Sequence, residues 1–135
     1  MNGQSIENGF PCHVPDRVLD ESLLTFDLEE IIHKIKQEKE WTTGDRNSIT
    51  LLKNPHLAIV LIALHGQGEI NFHRSGNLIS VHLLEGKVNF QTKDKSVILK
   101  KGILLTCHEE GVHSLVALED SVFLLTIGSV SAASA

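Results

Sequence analysis

Two histidines at the ends of one strand-rich stretch are the residues of this chain best suited to chemistry. His73 and His113 bracket a segment in which short apolar runs alternate with turn residues every eight to ten positions or so. Imidazole nitrogens bind divalent metals, transfer protons and form hydrogen bonds. Strand alternation places Asn71 on the face of His73 and puts Ile70 and Phe72 on the other face. We therefore predict a pocket that contains Asn71 and holds His73 and His113 within reach of each other.

The elements that must position these residues are predicted to be strands. Gly86 and Gly102 each fall where one apolar run ends and the next begins, and Asn54-Pro55 separates two earlier runs. Runs rich in β-branched residues between such turns are typical of strands, so the spacing predicts an all-β fold. The predicted strands are residues 48–53, 57–64, 69–73, 78–85, 87–92, 96–99, 103–107, 112–118 and 121–127.

One amphipathic helix is predicted before the strands. Leucine and isoleucine recur at helical spacing between residues 27 and 39, with acidic residues early and lysines late, the order that the helix dipole favours. Trp41 follows directly. We interpret this ring as an apolar plug between the end of the helix and the sheet, because large rings at such junctions usually serve packing.

The spacing of the strand-rich stretch resembles that of the cupins, a family of small double-stranded β-helix barrels. Their first motif is G-x5-H-x-H-x3,4-E-x6-G. When Gly86 is taken as the closing glycine, the first histidine of the motif falls on His73, the second on Ser75 and the glutamate on Ile79. One of these three ligand positions therefore carries a ligand.

The second cupin motif, G-x5-P-x-G-x2-H-x3-N, also fits the chain in part. When Gly102 opens it, its histidine falls on His113. His108 then takes the place of the proline, Glu110 that of the glycine and Ala117 that of the asparagine. The chain thus looks like a small single-domain cupin with a degenerate metal-binding motif.

The resemblance implies a double-stranded β-helix, or jelly-roll, cupin barrel with one N-terminal α-helix. On this frame the single domain comprises an extended arm at residues 1–24, the helix at 25–40, the barrel at 41–128 and a flexible tail at 129–135. His82 alternates with Ile79, which the frame turns inward, and is therefore predicted to face outward.

Three interpretations of the site remain open. The first is a metal-dependent enzyme of the dioxygenase or isomerase type, which the resemblance implies, with Fe, Mn, Ni or Zn bound by His73 and His113. Imidazole with oxygen donors suits these ions, but a catalytic site usually brings about three protein ligands. The groups that could complete the shell are Asn71, His65, His108 and Glu110.

The second interpretation is a barrel that binds a small organic ligand with no metal or an incomplete metal site. Binding pockets are mostly apolar with a few placed polar groups, which is the mixture available here. The predicted lining consists of His73, His113, Asn71, Ser75, Ile79, Val81 and Leu115. The third interpretation is an interaction or assembly role, in which the histidines only complete the core or its rim.

Composition limits the partners and the compartment. The chain has 135 residues and a formal net charge of -5, with lysines interleaved with acids, so nucleic acid and anionic membrane are not expected partners. No basic, apolar and cleavable segment opens the sequence, so we predict a cytoplasmic protein in which Cys12 and Cys107 are free thiols. The longest apolar run, residues 57–64, is apolar at nearly every position, which predicts cover on both faces by the helix or by a second subunit. We therefore predict a homodimer.

Overall fold

The structure of the protein is a computed structural model, which describes residues 5–7, 10–12, 22–74, 77–108 and 111–129. At residues 5–7, 10–12, 73, 74, 77 and 129 the description covers the backbone only.

Eleven strands and two short helices make up the described chain. The helices are α1 (Leu28–Ile35) and α2 (Lys39–Thr42). The strands are β1 (Ser5–Glu7), β2 (Phe10–Cys12), β3 (Arg46–Lys53), β4 (Leu57–Leu64), β5 (Glu69–Arg74), β6 (Asn77–Glu85), β7 (Lys87–Gln91), β8 (Ser96–Lys100), β9 (Leu104–Cys107), β10 (Gly111–Ala117) and β11 (Ser121–Ser129). All nine strands predicted from the sequence are present, with ends shifted by two residues at most.

Two antiparallel sheets form the barrel. One has the strand order β5-β10-β7-β8 and the other the order β3-β4-β11-β6-β9. The predicted turn glycines connect them: Gly86 has φ +88° between β6 and β7, and Gly102 has φ +89° between β8 and β9. At Gly86 a side chain would also meet the Ser121 hydroxyl and the Asp120 carbonyl, so this turn requires glycine on both counts.

Large apolar side chains fill the space between the two sheets. Three phenylalanines, Phe72, Phe90 and Phe123, are each almost fully buried there, and aliphatic residues from seven strands surround them. The rings of Phe72 and Phe90 are 6.2 Å apart. Burial of this apolar area from water is the main force that holds the two sheets together.

A second apolar layer covers the outer face of the five-stranded sheet. Leu61 and Ala63 of β4 pack here against Ile32 and Ile35 of α1 and against Trp41 of α2. Both faces of β4 are therefore covered, and the helices of the same chain supply the outer cover. The homodimer stays a prediction, but the apolar outer face of β4 no longer gives a reason for it.

The single helix predicted for residues 27–39 is wrong in its C-terminal part. It ends at Ile35, and α2 follows after a turn. The side-chain amide of Asn47 in β3 donates to the carbonyl of Ile35 at 2.8 Å and to the carboxylate of Glu38 at 2.9 Å. A residue distant in sequence thus caps the end of α1, which helical periodicity cannot reveal.

The N-terminal arm contains a hairpin that the sequence did not predict. β1 and β2 pair in antiparallel fashion, and β2 lies beside β3 and β5, the edge strands of the two sheets on one side of the barrel. Apart from residues 22–24, the other parts of the predicted arm and nearly all of the predicted tail lie outside the described residues. Neither described helix has the length and apolarity that a membrane span requires.

Candidate functional site

His113 lies in the apolar interior of the barrel. It alternates along β10 with Val112 and Ser114, shares the inward face with Leu115 and Ala117, and is 2% exposed. Its ring centre is 6.0 Å from that of Phe90, with the two rings tilted by 48°. His113 is therefore part of the packed interior of the barrel.

The register of β5 against β10 does not bring His73 and His113 together. Phe72 is directly opposite His113, whereas His73 is directly opposite Val112, which is 60% exposed. Directly opposite residues of an antiparallel pair belong to the same face, so positions 73 and 113 belong to opposite faces of the sheet. The side chain of His73 is outside the described part of the chain. Positions 73 and 113 belong to opposite faces because side chains alternate strictly along β5 and Phe72 takes the inward position.

Asn71 is a second departure from the predicted pocket. Its side chain is exposed and lies opposite Ser114, while its neighbours Ile70 and Phe72 face the core. The alternation that the sequence predicted is confirmed, but the apolar face of β5, not the polar one, is the inward face. Asn71 therefore does not line the interior beside His113. Ser75, another predicted lining residue, falls outside the described residues.

The apolar residues of the predicted pocket are in the barrel interior. Ile79, Val81 and Leu115 are each at most 1% exposed and pack in the same cluster as Phe72 and Phe90. They contribute to a closely packed core. His82 alternates with them, lies opposite Leu124 and Leu104 on the outer face, and is half-buried, as the sequence predicted.

The side chains around His113 do not fit a metal. Within the described residues, no three His, Cys, Asp or Glu side chains come together in a way that could hold an ion. The position opposite His113 carries Phe72, and Ile79 occupies an inward position on β6. Phenyl and aliphatic groups offer no lone pair to Fe, Mn, Ni or Zn. Glu110, one of the groups proposed to complete the shell, lies outside the described residues.

His65, another candidate ligand, is engaged in a cluster at one end of the barrel. Its ring stacks on Trp41 with centres 3.4 Å apart. Nδ1 is 3.2 Å from a carboxylate oxygen of Asp120, and Nε2 is 2.9 Å from the carbonyl oxygen of Trp41. Both ring nitrogens thus lie within hydrogen-bond distance of protein oxygens, so His65 connects α2 to the β10–β11 turn and both nitrogens are engaged within the fold.

The same cluster lowers the pKa of Asp120. The backbone N–H of Gly66 donates to its carboxylate at 2.9 Å, and the His65 ring donates to the same oxygen. Nearby, the guanidinium of Arg46 donates two hydrogen bonds to Asp45 and holds the pKa of that carboxyl below its usual value. Both effects favour the charged carboxylate over the neutral acid.

A cleft of about 310 Å³ opens between β8 and β9. Phe90, Val97 and Leu105 give it apolar walls, and Phe90 separates it from the ring of His113. The remaining lining residues are polar: Thr92, Lys95, Thr106, Cys107 and His108.

This cleft was not predicted from the sequence. Lys95 lies in a lysine-rich turn and Cys107 at the end of an apolar run, and neither position indicates a cavity. Cys107 is half-buried, packs against the core cluster and lines the cleft on the same side of β9 as Leu105. The sequence signal for this cleft was the presence of five lysines between Lys87 and Lys101. Only the fold shows that β8 and β9 diverge next to them.

The cleft can hold an anionic group next to an apolar one. The ammonium of Lys95 is exposed at the rim and supplies a positive charge. The hydroxyls of Thr92 and Thr106 and the ring of His108 add hydrogen-bond donors. Residues 87–108 contain five lysines and one aspartate, although the whole chain has a net charge of -5, and two of these lysines, Lys93 and Lys95, lie in the β7–β8 turn beside the cleft.

Comparison with known proteins supports the fold but gives no activity. No protein-family model matches the sequence, and no curated protein matches it. Among solved structures, a conserved protein of unknown function from Streptococcus pyogenes is similar at 20% identity with a TM-score of 0.62, over 83% of this chain and 92% of that one. A cupin superfamily protein from Desulfitobacterium hafniense is similar at 14% identity and TM-score 0.58, over 62% of this chain and 77% of that one. A cupin-2 domain protein from Shewanella frigidimarina is similar at 12% identity with a TM-score of 0.59, over 75% of this chain and 91% of that one.

With the fold established, the strand register corrects how the cupin motif is placed on the chain. The motif allows three or four residues between its second histidine and its glutamate. Because Phe72 is opposite His113, the spacing of four applies, which puts the two histidine positions on Phe72 and Arg74 and leaves the glutamate position on Ile79. His113 is then the one residue of the four that the family's metal motif would recognise. The chain has the fold of a cupin barrel.

Proposed function

We propose that the protein is a metal-independent binding protein whose cleft between β8 and β9 takes a small organic anion with an apolar body. The observation that carries this proposal is the composition of the cleft, in which Phe90, Val97 and Leu105 form apolar walls below the ammonium of Lys95. Its volume of about 310 Å³ lies at the lower end of the range that small-ligand sites occupy. Binding is the activity that these groups support without a further reactant.

The chemistry of the rim favours an anion such as a carboxylate. A charge-assisted hydrogen bond from Lys95 would fix the anionic end, and the threonine hydroxyls can donate to the same oxygens. The apolar walls would then cover the rest of the ligand and keep it out of water. Because Lys95 is exposed, solvent weakens its attraction to the anion, and most of the affinity would come from the apolar part.

The test is a thermal-shift and calorimetry series with three probes: octanoate, octanol and acetate. Octanoate offers both the charge and the apolar chain, octanol only the chain and acetate only the charge. A ligand that binds only the folded state must raise its melting temperature, by an amount that grows with the ratio of ligand concentration to Kd. We expect octanoate to raise the melting temperature most and acetate least.

Variants assign the binding to the cleft. Lys95→Gln should weaken octanoate binding by about twofold to fivefold, the effect of roughly 0.4 to 1 kcal/mol, and leave octanol unchanged. Leu105→Asp should abolish binding of both. Lys39→Gln removes an exposed lysine of α2 and is the matched control. Equal responses to octanoate in the Lys95→Gln and Lys39→Gln proteins would contradict the assignment to this cleft.

A further inference from the structure

The two strands that border the cleft are both edge strands. β8 is the last strand of the four-stranded sheet and β9 the last strand of the five-stranded sheet, and no strand within the described ranges pairs with their other sides. They are held together at the turn, where the N–H of Ile103 donates to the carbonyl of Lys100 at 3.0 Å. Away from the turn they diverge, so that Val97 and Cys107 lie on opposite walls of the cleft. We call this gap between β8 and β9 the open seam.

The backbone of β8 offers hydrogen-bonding groups to the open seam. The N–H of Thr92 donates to the carbonyl of Lys95 at 2.8 Å and closes the β7–β8 hairpin. Hydrogen-bonded and non-hydrogen-bonded pairs alternate along an antiparallel ladder. Because Thr92 and Lys95 form a hydrogen-bonded pair, Val97 and Leu99 also direct their backbone groups to β7. Ser96 and Ile98 therefore direct theirs to the open seam. These groups are the ones that an additional strand would use.

Apolar side chains are concentrated at the same place. Of the eight large apolar side chains that are exposed in the described residues, four belong to the open seam: Val97, Ile98, Ile103 and Leu104. Ile98 is 54% and Leu104 is 60% exposed. A flat edge with exposed apolar residues is a template for strand pairing, and proteins usually protect it.

The opposite side of the barrel shows such protection. There the edge strands are β3 and β5, and strand β2 of the same chain lies beside both. The fold thus covers one of its two sides with a strand of its own arm, which is not paired into either sheet. The open seam is the corresponding side without such a strand in the described chain.

The charge at the open seam selects the kind of partner. Lys95, Lys100 and Lys101 are exposed at the two ends of β8. Antiparallel pairing of β8 with the same strand of a second copy about Ile98 would place Lys95 opposite Lys101 in both directions. Like charges directly opposite each other destabilise a strand pair, so a second copy in this register is disfavoured and an acidic strand is favoured.

We propose that the open seam binds an extended segment of another protein as an additional strand on β8. Acidic and apolar residues alternate along this segment. Main-chain hydrogen bonds to Ser96 and Ile98 would fix the segment, as in other cases of strand addition. Its apolar residues would cover Ile98 and Leu104, and its acidic residues would pair with the lysines. This interaction surface adjoins the small-anion site, because Val97 and Lys95 belong to both, whereas its anchors Ser96, Ile98 and Leu104 do not line the cleft.

The probe is a fluorescein-labelled peptide of alternating glutamate and valine, measured by fluorescence anisotropy with the full-length protein. Two control peptides keep its length: one replaces glutamate by lysine, and the other carries N-methyl groups on alternate residues and so lacks the edge donors. We expect saturable binding of the acidic peptide and no binding of the two control peptides. The affinity for the acidic peptide should fall at least fivefold from low to physiological salt, because salt screens the exposed lysines.

The decisive variant is Ile98→Pro. Because the N–H of Ile98 points to the open seam, proline there removes a donor to the peptide and leaves the ladder with β7 intact. Ile98→Val is the matched control that keeps the donor and the apolar side chain. We expect a loss of affinity of at least tenfold in Ile98→Pro and less than twofold in Ile98→Val, with unchanged circular dichroism in both.

Three results would overturn the proposal. The first is equal affinity for the acidic and the lysine peptides. The second is unchanged affinity of the N-methylated peptide or of Ile98→Pro, which would show that the edge of β8 is not used. The third is concentration-dependent dimerisation that Ile98→Pro abolishes, which would assign the open seam to a second copy. If Ile98→Pro does not fold, the N-methylated peptide still decides the second result.

Discussion

Thr50 is a buried polar residue whose hydroxyl has no hydrogen-bond partner among the described residues. It is 1% exposed on β3, directly opposite Val60 of the barrel core. A buried hydroxyl that has lost its water and gained no partner costs about 1 to 3 kcal/mol. Valine has almost the same shape and no hydroxyl. We therefore expect Thr50→Val to raise the free energy of unfolding by about 1 kcal/mol.

Urea unfolding followed by circular dichroism measures this effect as a higher midpoint at an unchanged m-value. Thr43→Val is the matched control, because the hydroxyl of Thr43 donates to the carbonyl of Lys39 at 2.9 Å and its loss should not stabilise the protein. A lower midpoint for Thr50→Val would show that the Thr50 hydroxyl does have a partner in the folded protein.

At the scale of the element, one side chain decides where helix α1 ends. Asn47 is 5% exposed, and its amide group donates to Ile35 and Glu38 while its oxygen accepts the N–H of Ser48 at 2.9 Å. Asn47→Ala removes all three bonds and leaves the carbonyl of Ile35 with only the long hydrogen bond from the N–H of Glu38 at 3.4 Å. The expected loss is about 2 to 3 kcal/mol of unfolding free energy.

Hydrogen exchange separates this local effect from a general loss of stability. In Asn47→Ala the amides of α1 and α2 should lose protection, while those of the barrel strands change only by the fall in global stability. Asn71→Ala is the control, since Asn71 is exposed on β5 and its removal should change stability by less than about 0.5 kcal/mol. Full protection of α1 in Asn47→Ala would contradict the capping role.

The strands were predictable from the sequence because their signals are local. The run 57–64 is apolar throughout and ends at turn residues, so its limits agree with those of β4. The end of α1 was not predictable, because Asn47 reaches it from β3 through tertiary contact. The prediction that His73 and His113 share a pocket was wrong for a third reason. A shift of one residue in a strand exchanges its two faces, so a motif that allows two spacings before Ile79 cannot decide between Phe72 and His73.

The cleft and the open seam could not be predicted from the sequence because each depends on two strands from different sheets. Lys95 and His108 are ordinary surface residues when the chain is inspected in order. Only the divergence of β8 and β9 places them at the rim of one cavity. The cupin resemblance predicted the barrel correctly, but the features that distinguish this chain lie away from the positions that define the family's metal motif.

At the scale of the whole molecule, two carboxylates connect the stability of the barrel to pH. The pKa values of Asp45 and Asp120 are both lowered in the folded protein, by Arg46 and by the Gly66 N–H with His65 respectively. The unfolded chain therefore binds more protons than the folded one in acid. This contribution to stability is fully present above about pH 4 and is lost as the pH falls through the lowered values.

The variant that tests this dependence is Asp120→Asn. The amide oxygen can still accept the N–H of Gly66, so the turn keeps its shape, but the charge next to His65 is removed. We expect a lower urea midpoint at pH 7 and a shallower fall of the midpoint from pH 5 to pH 2.5 than in the unmodified protein. Asp94→Asn, which removes an exposed carboxylate from the β7–β8 turn, is the control for net charge. Identical acid profiles for Asp120→Asn and Asp94→Asn would mean that the cluster of His65, Gly66 and Asp120 does not contribute to the acid sensitivity of the fold.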